Sequence, residues 1–430
     1  MKETSQVVCL FLDNGPFVDL AVTYAKGFKH TYYNIPGWPS SFPIMNEAMI
    51  GHGLEGIEVV DSAFDVIDKC DLIICPDVYL GKWQTYFESK GKAVWGSRAG
   101  ENMELYRDKF KKLLEKLGLN VNPWKAITGM DALREHLKTH KNQWVKPIKW
   151  RGIKESFFSP SYEKIEDVLT TLESDLGALK KYIRFTVEDQ LEDCIELGID
   201  PQTVDGDIPE TTMCGIECKD KTYIATWQKY SDISEVITDP FEKLRPTLRN
   251  YGYRGPISTE VRVNPELEAY LIDITARYGS PPNELQQGMI KNLSEQAWAG
   301  ANGDIVEPDW AAKYGAQIML YSSRAEKHTL DIYFPKKNRD FLKFKNLIQQ
   351  EDGTYTVLPQ LICDTVIGSA IGFDDDLDKA IEKAKEVAKS VWAHDLECFP
   401  DYLDHAEEEI KKSQDLGISY FDKKVKDDSK

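Results

Sequence analysis

Positive charge is in short supply in this 430-residue chain: 53 Lys and Arg stand against 71 Asp and Glu, a formal balance of -18. Such a surface repels nucleic-acid backbones and anionic lipid, which argues against a general nucleic-acid binder and leaves anionic ligands to a local basic pocket. Long apolar runs are missing too. The first, residues 7–12, is far shorter than a signal-peptide core or a membrane span, so the expectation is a soluble, cytoplasmic protein with no membrane partner. Cysteine is sparse and scattered, at positions 9, 70, 75, 194, 214, 218, 363 and 398. Cys214 and Cys218 have no second pair at zinc-ligand spacing, and reduced, mostly buried thiols are expected. His136 and His140 lie four apart on a predicted helix whose face looks solvent-exposed. Glycine-rich nucleotide loops are lacking: the first strand-to-helix turn, LDNGPF, carries only Gly15 and cannot make the backbone approach of a G-x-G-x-x-G site.

What is present suffices for about three domains at roughly 150 residues each, since 42% of residues are hydrophobic. From 7 to 97 short apolar runs alternate with amphipathic stretches, the pattern of an open parallel α/β sheet. A helix is predicted over 102–117, ended by Gly118. An α+β pattern follows: strands in WKAITG and QWVKPIK, helices in MDALREHLKTH and over 162–179, and several strands across 183–230. Then come a helix near 240–250, strands at 257–263 and 269–276, and a helix over 283–299. After GDIVEPDW strands resume with one helix, 377–394, and the charged tail from Lys423 reads as frayed.

Three constellations carry chemistry. In KPIKWRGIK, residues 146–154, four of nine residues are basic and none is acidic, which beside Gly152 reads as an anion site or as a solvated basic loop. The acidic stretch EDQLEDCIE, 188–196, ends one strand and enters another, where a carboxylate can accept from ribose hydroxyls; acidic strand ends are also common. In the third, ISTEVRV and AYLIDITAR are joined by NPELE, and a symmetric hairpin centred between Glu266 and Leu267 puts Glu260 opposite Asp273. Asp273, Thr275 and Arg277 then share one face and Ile272, Ile274 and Ala276 the core face. Two facing carboxylates repel unless a cation lies between them, as Mg²⁺ does with substrate phosphates; a surface salt-bridge ladder is the other reading.

In order along the chain, these constellations resemble the ATP-grasp superfamily, and within it the phosphoribosylamine-glycine ligase family. Lys146 and Lys154 match the family's two lysines eight residues apart, and residues 187–191 (VEDQL) resemble its hinge. The metal strand resembles Asp273-Ile274-Thr275-Ala276-Arg277-Tyr278-Gly279, with Glu260 as the upstream acid. ATWQ at 225–228 and VIGSAIGFDDDLDKAIEKAKEVAKSVW also match family segments.

The resemblance implies an ATP-grasp fold: α/β and α+β, multidomain, with an N-terminal open parallel α/β domain and a C-terminal α+β domain. It divides the chain into an N-terminal domain with connecting helix (1–121), a small ATP-grasp subdomain (122–182), a large one (183–310) and a C-terminal domain (311–430). It implies ATP with Mg²⁺ or Mn²⁺ as cofactors and an ADP-forming, carboxylate-amine ligase acting on small molecules through an acyl phosphate. Lys146 and Lys154 would hold phosphates, the backbone around Glu188, Gln190 and Leu191 adenine, and Glu196 the ribose. Glu260, Asp273 and Thr275 would hold metal, with Arg277 and Lys154 catalytic. The family's Gly-Gly-Arg-Glu-His loop is replaced here by Asp13-Asn14-Gly15-Pro16-Phe17, and its Thr-Gly-Gly-Met-Gly segment has no counterpart after Gln228. Substrates other than phosphoribosylamine and glycine are therefore expected. A nucleotide-binding scaffold or regulatory protein with impaired catalysis is the alternative.

Overall fold

Strand β1 (Val8–Leu12) opens a parallel sheet with β2 (His30–Asn34), β3 (Ile57–Val59), β4 (Leu72–Ile74) and β5 (Ala93–Trp95), in the order β3-β2-β1-β4-β5. The computed structural model describes residues 1–36, 48–149, 156–218, 221–359 and 365–421, so Gly152, Lys154, Cys363 and the tail from Lys423 lie outside the described residues. Helices α1 (Val18–Ala25) and α2 (Gly81–Ser89) connect the strands, as the alternating pattern requires. The strand order reverses between β1 and β4, which opens a crevice at their carboxyl ends, where ligands of open α/β sheets bind. Asp13 and Asp77 follow those two strands.

The helix expected over 102–117 is two helices, α3 (Glu101–Leu105) and α4 (Arg107–Lys116), because Tyr106 leaves helical geometry at φ -116° and ψ 69°. Gly118 does end it, at φ +68°. Next come β6 (Trp124–Thr128), α5 (Met130–Thr139), β7 (Gln143–Pro147), β8 (Phe157–Ser159), α6 (Tyr162–Leu176) and β9 (Arg184–Asp189). Their four-stranded sheet, ordered β6-β9-β7-β8, packs against α5 and α6 over a core of its own that includes Leu133, Val145, Leu169 and Phe185.

A larger antiparallel sheet includes β10 (Ile195–Ile199), β12 (Thr211–Cys218), β13 (Thr222–Lys229), β15 (Ser258–Val263) and β16 (Ala269–Thr275), while β11 (Gln202–Val204) and β14 (Arg254–Pro256) pair separately. It continues through β17 (Tyr314–Ser322), β22 (Val366–Asp374) and β19 (Leu342–Phe344), with β23 (Leu396–Cys398) also on β17, while β18 (Leu330–Ile332), β20 (Leu347–Gln349) and β21 (Tyr355–Val357) make a three-stranded sheet of their own. The sheet does not stop where the sequence pattern restarts near residue 310, because Thr222 of β13 pairs with Ile318 of β17. Helix α7 (Glu235–Tyr251) is longer than the 240–250 expected. The single helix expected over 283–299 is broken into α8 (Asn283–Met289) and α9 (Leu293–Ala301). The C-terminal part holds α10 (Leu377–Lys389) and a second helix, α11 (Ala406–Asp415), where one was expected. Among the described residues, Cys9, Cys70, Cys75 and Cys214 are buried free thiols and Cys194, Cys218 and Cys398 are partly exposed ones. No helix of the described residues is long and apolar enough to cross a membrane.

Candidate functional site

Strand alternation decides which way the Lys146 ammonium points. In the β7–β9 pair Lys146 lies opposite Thr186 and Trp144 opposite Glu188, so Lys146 and Glu188 are diagonal neighbours on one face. Val145, Phe185 and Val187 take the other face and fill the core under α5 and α6. The polar face turns toward α4 and the β15–β16 hairpin. Arg107 and Lys111, four apart and so on one side of α4, meet it.

A chain of ion pairs links these elements. Lys111 Nζ lies 2.9 Å from Glu188 Oε2, and Lys146 Nζ lies 3.6 Å from Glu188 Oε1 and 3.0 Å from Asp273 Oδ2. Arg107 Nε stands 3.6 Å from Asp273 Oδ1, and Arg107 also donates to the Pro147 carbonyl. Lys111 and Glu188 are almost completely buried, at 2% and 1% exposure, whereas Asp273 keeps 24%. Asn122 accepts from Lys111 and donates to Glu188, closing the inner end. Arg107 and Lys111 escape the sequence reading because Lys and Arg between helical leucines read as a solvent face; their only signal is the i, i+4 spacing.

The hairpin does place Glu260 opposite Asp273, but not by the symmetric pairing expected. Nearer the turn Val261 pairs with Leu271 and Val263 with Ala269, and the register shifts between Glu260 and Val261. That one-residue bulge restores the Glu260–Asp273 pair and leaves Ile272, Ile274 and Ala276 in the core. Thr275 lies opposite Ser258. The expected repulsion between the two carboxylates is corrected by the contacts: Lys146 and Arg107 supply positive charge on the Asp273 side. Burial works against ionising Asp273, yet Lys146 and then Arg107 outweigh it and hold its carboxyl well below the usual range. Burial likewise opposes charge on Lys146, and Asp273, Glu188 and Glu260 together push its pKa up. For Glu188 the cations outweigh burial and its pKa falls; for Lys111 burial prevails over Glu188 and its pKa falls too.

The other predicted residues have their own partners. The Arg277 guanidinium sits 3.0 Å from Glu104 and 3.4 Å from Asp77, while Glu104 also accepts from the Ala276 N–H. Glu196 is held by Arg262 at 2.8 Å. In the hinge, the N–H groups of Asp189 and Gln190 donate to the Pro123 and Asn142 carbonyls, Trp144 donates to the Gln190 side chain, and Gln190 donates to the Leu191 carbonyl. Lys146, Glu188, Asp273 and Glu260 are thus brought together, and Lys154 lies outside the described residues.

At the crevice between β1 and β4, Asp13 accepts from Tyr33 at 2.8 Å and from the N–H groups of Asn14 and Phe17. Burial pushes its pKa up to about 7 despite these bonds. The folded state therefore keeps a proton that the unfolded chain has released above about pH 4, and stability declines as pH rises from there to about 7. The expected result is a melting temperature lower at pH 8 than at pH 5, with Asp13→Asn reducing that difference; thermal melts across the range check it.

Among the described residues no group of three or more His, Cys, Asp or Glu could hold a metal alone, and the stacked His136 and His140 have no such company. Glu260 and Asp273 are a pair of hard oxygen donors, and the depressed pKa keeps Asp273 ionised. That set fits Mg²⁺ in its usual manner, with one or two carboxylates and the remaining positions on substrate phosphate and water.

No protein-family profile matches the sequence, and no curated protein matches it significantly. Solved structures do match. Phosphoribosylamine-glycine ligase from Thermotoga maritima superposes with a TM-score of 0.64 at 15% identity, over 91% of this chain and 98% of that one. The biotin carboxylase domain of 2-oxoglutarate carboxylase from Hydrogenobacter thermophilus, solved with MgADP, ADP and bicarbonate, gives 0.65 at 11% identity over 96% and 99%. N5-carboxyaminoimidazole ribonucleotide synthetase from Thermotoga maritima gives 0.59 at 12% over 90% and 99%. The chain has the ATP-grasp fold, in a form divergent in sequence.

Proposed function

We propose that this ATP-grasp chain is an ATP-dependent ligase that joins a carboxylate to an amine through an acyl phosphate. The observation that supports it most is the meeting of Arg107, Lys111 and Lys146 with Glu188, Asp273 and Glu260 between the small sheet and the hairpin, in a protein otherwise poor in positive charge. ATP fits between them, with Lys146, Arg107 and Lys154 on its phosphates. Its adenine goes against the hinge backbone at Glu188, Gln190 and Leu191, and Glu196 meets the ribose. Bound by Glu260, Asp273 and Thr275, Mg²⁺ or Mn²⁺ would supply charge neutralisation on the phosphate oxygens.

Lys146 is central to that arrangement. Its ammonium now neutralises Asp273; when it turns to a phosphate oxygen, Asp273 becomes available to a cation. A carboxylate oxygen of the substrate attacks the γ-phosphorus and ADP leaves; the amine nitrogen then attacks the acyl carbon, phosphate departs, and the amine loses a proton. Arg277, held by Glu104 and Asp77, is positioned to steady the developing charge. Such chemistry depends on positioning and charge rather than on a covalent nucleophile. The loop Asp13-Asn14-Gly15-Pro16-Phe17 differs from the one that the phosphoribosylamine-glycine ligases carry, which favours another substrate pair.

A nucleotide-binding scaffold is the second reading, favoured by Thr275, whose hydroxyl is a weaker metal ligand than an amide carbonyl. The two are separated by thermal shift and turnover. With ATP or ADP plus Mg²⁺ at 100 times the Kd, stability should rise by about 2.7 kcal/mol, and GTP should do less. ADP formation across a panel of carboxylate and amine pairs should exceed that with phosphoribosylamine and glycine. A shift with no ADP formed from any pair supports the scaffold; no shift with either adenine nucleotide at millimolar concentration removes both readings.

A further inference from the structure

Away from the nucleotide cleft, α1 faces strands of the C-terminal part across a cavity of about 590 Å³. That volume lies in the range of small-molecule sites. One wall is Asp19 of α1 and Lys26 just after its end; the other includes Arg339, Lys343, Phe334 and Tyr355.

The lining carries four acidic side chains, Asp19, Glu55, Asp340 and Asp352, and four basic ones, Lys26, Lys336, Arg339 and Lys343, so its formal charge balances. Glu55, Asp352 and Lys336 are exposed, and the buried charges are not matched one to one. Both Asp19 oxygens are taken by the Arg339 guanidinium, and one also accepts from the Phe344 N–H at 2.7 Å. Asp340 takes Lys26 at 3.2 Å. Lys343 is the buried lysine of the group. It is 6% exposed, yet among the described residues its ammonium has no hydrogen-bond or ion-pair partner; Asp19 and Asp340 act on it as nearby charges that Arg339 and Lys26 oppose. A buried charge without a partner is costly, and packing alone would be served better by a methionine of similar length. Burial pushes the amine down to about 8, the same cost in another form. Beside it Phe334 and Tyr355 stack at 5.3 Å, with the Arg339 guanidinium 5.1 Å from the Tyr355 ring.

We propose that this cavity binds a small organic anion with one carboxylate or phosphate group, its head paired with Lys343 and its apolar body against Phe334 and Tyr355. The anion supplies the contact partner that Lys343 lacks, and the aromatic wall gives it the apolar contact that an inorganic ion lacks. This site is separate from the ligase reading and stands without it.

Calorimetric titration of the full chain with benzoate, phenyl phosphate and neutral benzamide tests the proposal. At least one anion should bind, benzamide should not, and K343M should weaken binding by about tenfold or more. The preferred anion tells carboxylate from phosphate. Saturating MgATP should leave the binding unchanged. If K343M does not fold, acetic anhydride labelling of the wild-type protein serves instead: the bound anion should protect Lys343, as read by mass spectrometry. Binding that survives K343M, equal binding of benzamide, displacement by MgATP, absence of protection, or no binding of either anion at about 10 mM, far weaker than ordinary metabolite sites, each overturns it.

Discussion

Replacing Glu188 by Gln should destabilise the protein by about 3 to 5 kcal/mol, the usual result of removing one partner from a buried ion pair. The carboxylate is 1% exposed and lies between Lys111 at 2.9 Å and Lys146 at 3.6 Å. The amide could still accept a hydrogen bond, but it would leave Lys111, at 2% exposure, without its compensating charge. The small sheet has its own apolar core, and this network is a polar tie between it and α4. The loss should therefore appear first as weakened attachment of residues 124–189. Hydrogen exchange would show it as faster opening there, beside a lower melting temperature. Because Glu188 has a depressed pKa, its contribution is complete above the unfolded glutamate value of about 4.3 and vanishes as pH falls through the lower folded value. Wild type and variant should therefore differ at pH 7 and converge in acid. A variant as stable as wild type at pH 7 would mean that the network carries little of the fold.

The comparison of sequence with structure turns on what periodicity can see. The N-terminal sheet was legible because VVCLFL and DLIICPD are continuous apolar runs, the mark of strands buried on both faces. Lys146 and the Glu260–Asp273 pair were legible because alternation and hairpin counting fix the face and the partner. The count succeeded although its premise failed, since the bulge beside Glu260 displaced the hairpin centre by half a residue. Arg107 and Lys111 were hidden, since a helix period shows where the core lies and not whether the polar side meets water or another domain. Helix α11, whose AEEEIKKSQD is mostly charged, was hidden for lack of an apolar stripe. Lys343 could not be picked out either: it lies in a strand of three residues, and only the closure of α1 over that strand buries it.

Asp273→Asn should show two effects of different size. With nucleotide and magnesium, ADP formation should fall by about 10²- to 10³-fold, the usual loss when one charge-stabilising group is taken from a transfer site. Without ligand the structure argues for a moderate loss of stability. Were Glu260 and Asp273 facing each other across empty space, neutralising one would relieve repulsion. Instead Asp273 receives Lys146 at 3.0 Å and Arg107 at 3.6 Å, and its depressed pKa records a net attraction. The amide keeps a hydrogen-bond acceptor for Lys146 but no charge, so the apo melting temperature should fall, by less than for Glu188→Gln because Asp273 keeps 24% exposure. Magnesium should then add little to the thermal shift that ATP produces, whereas in wild type the cation and nucleotide should stabilise together. A salt-bridge ladder alone predicts the first loss without the second: a lower apo melting temperature, with the magnesium dependence of nucleotide binding and the turnover untouched. That outcome would return Asp273 to a structural role and remove it from the metal site.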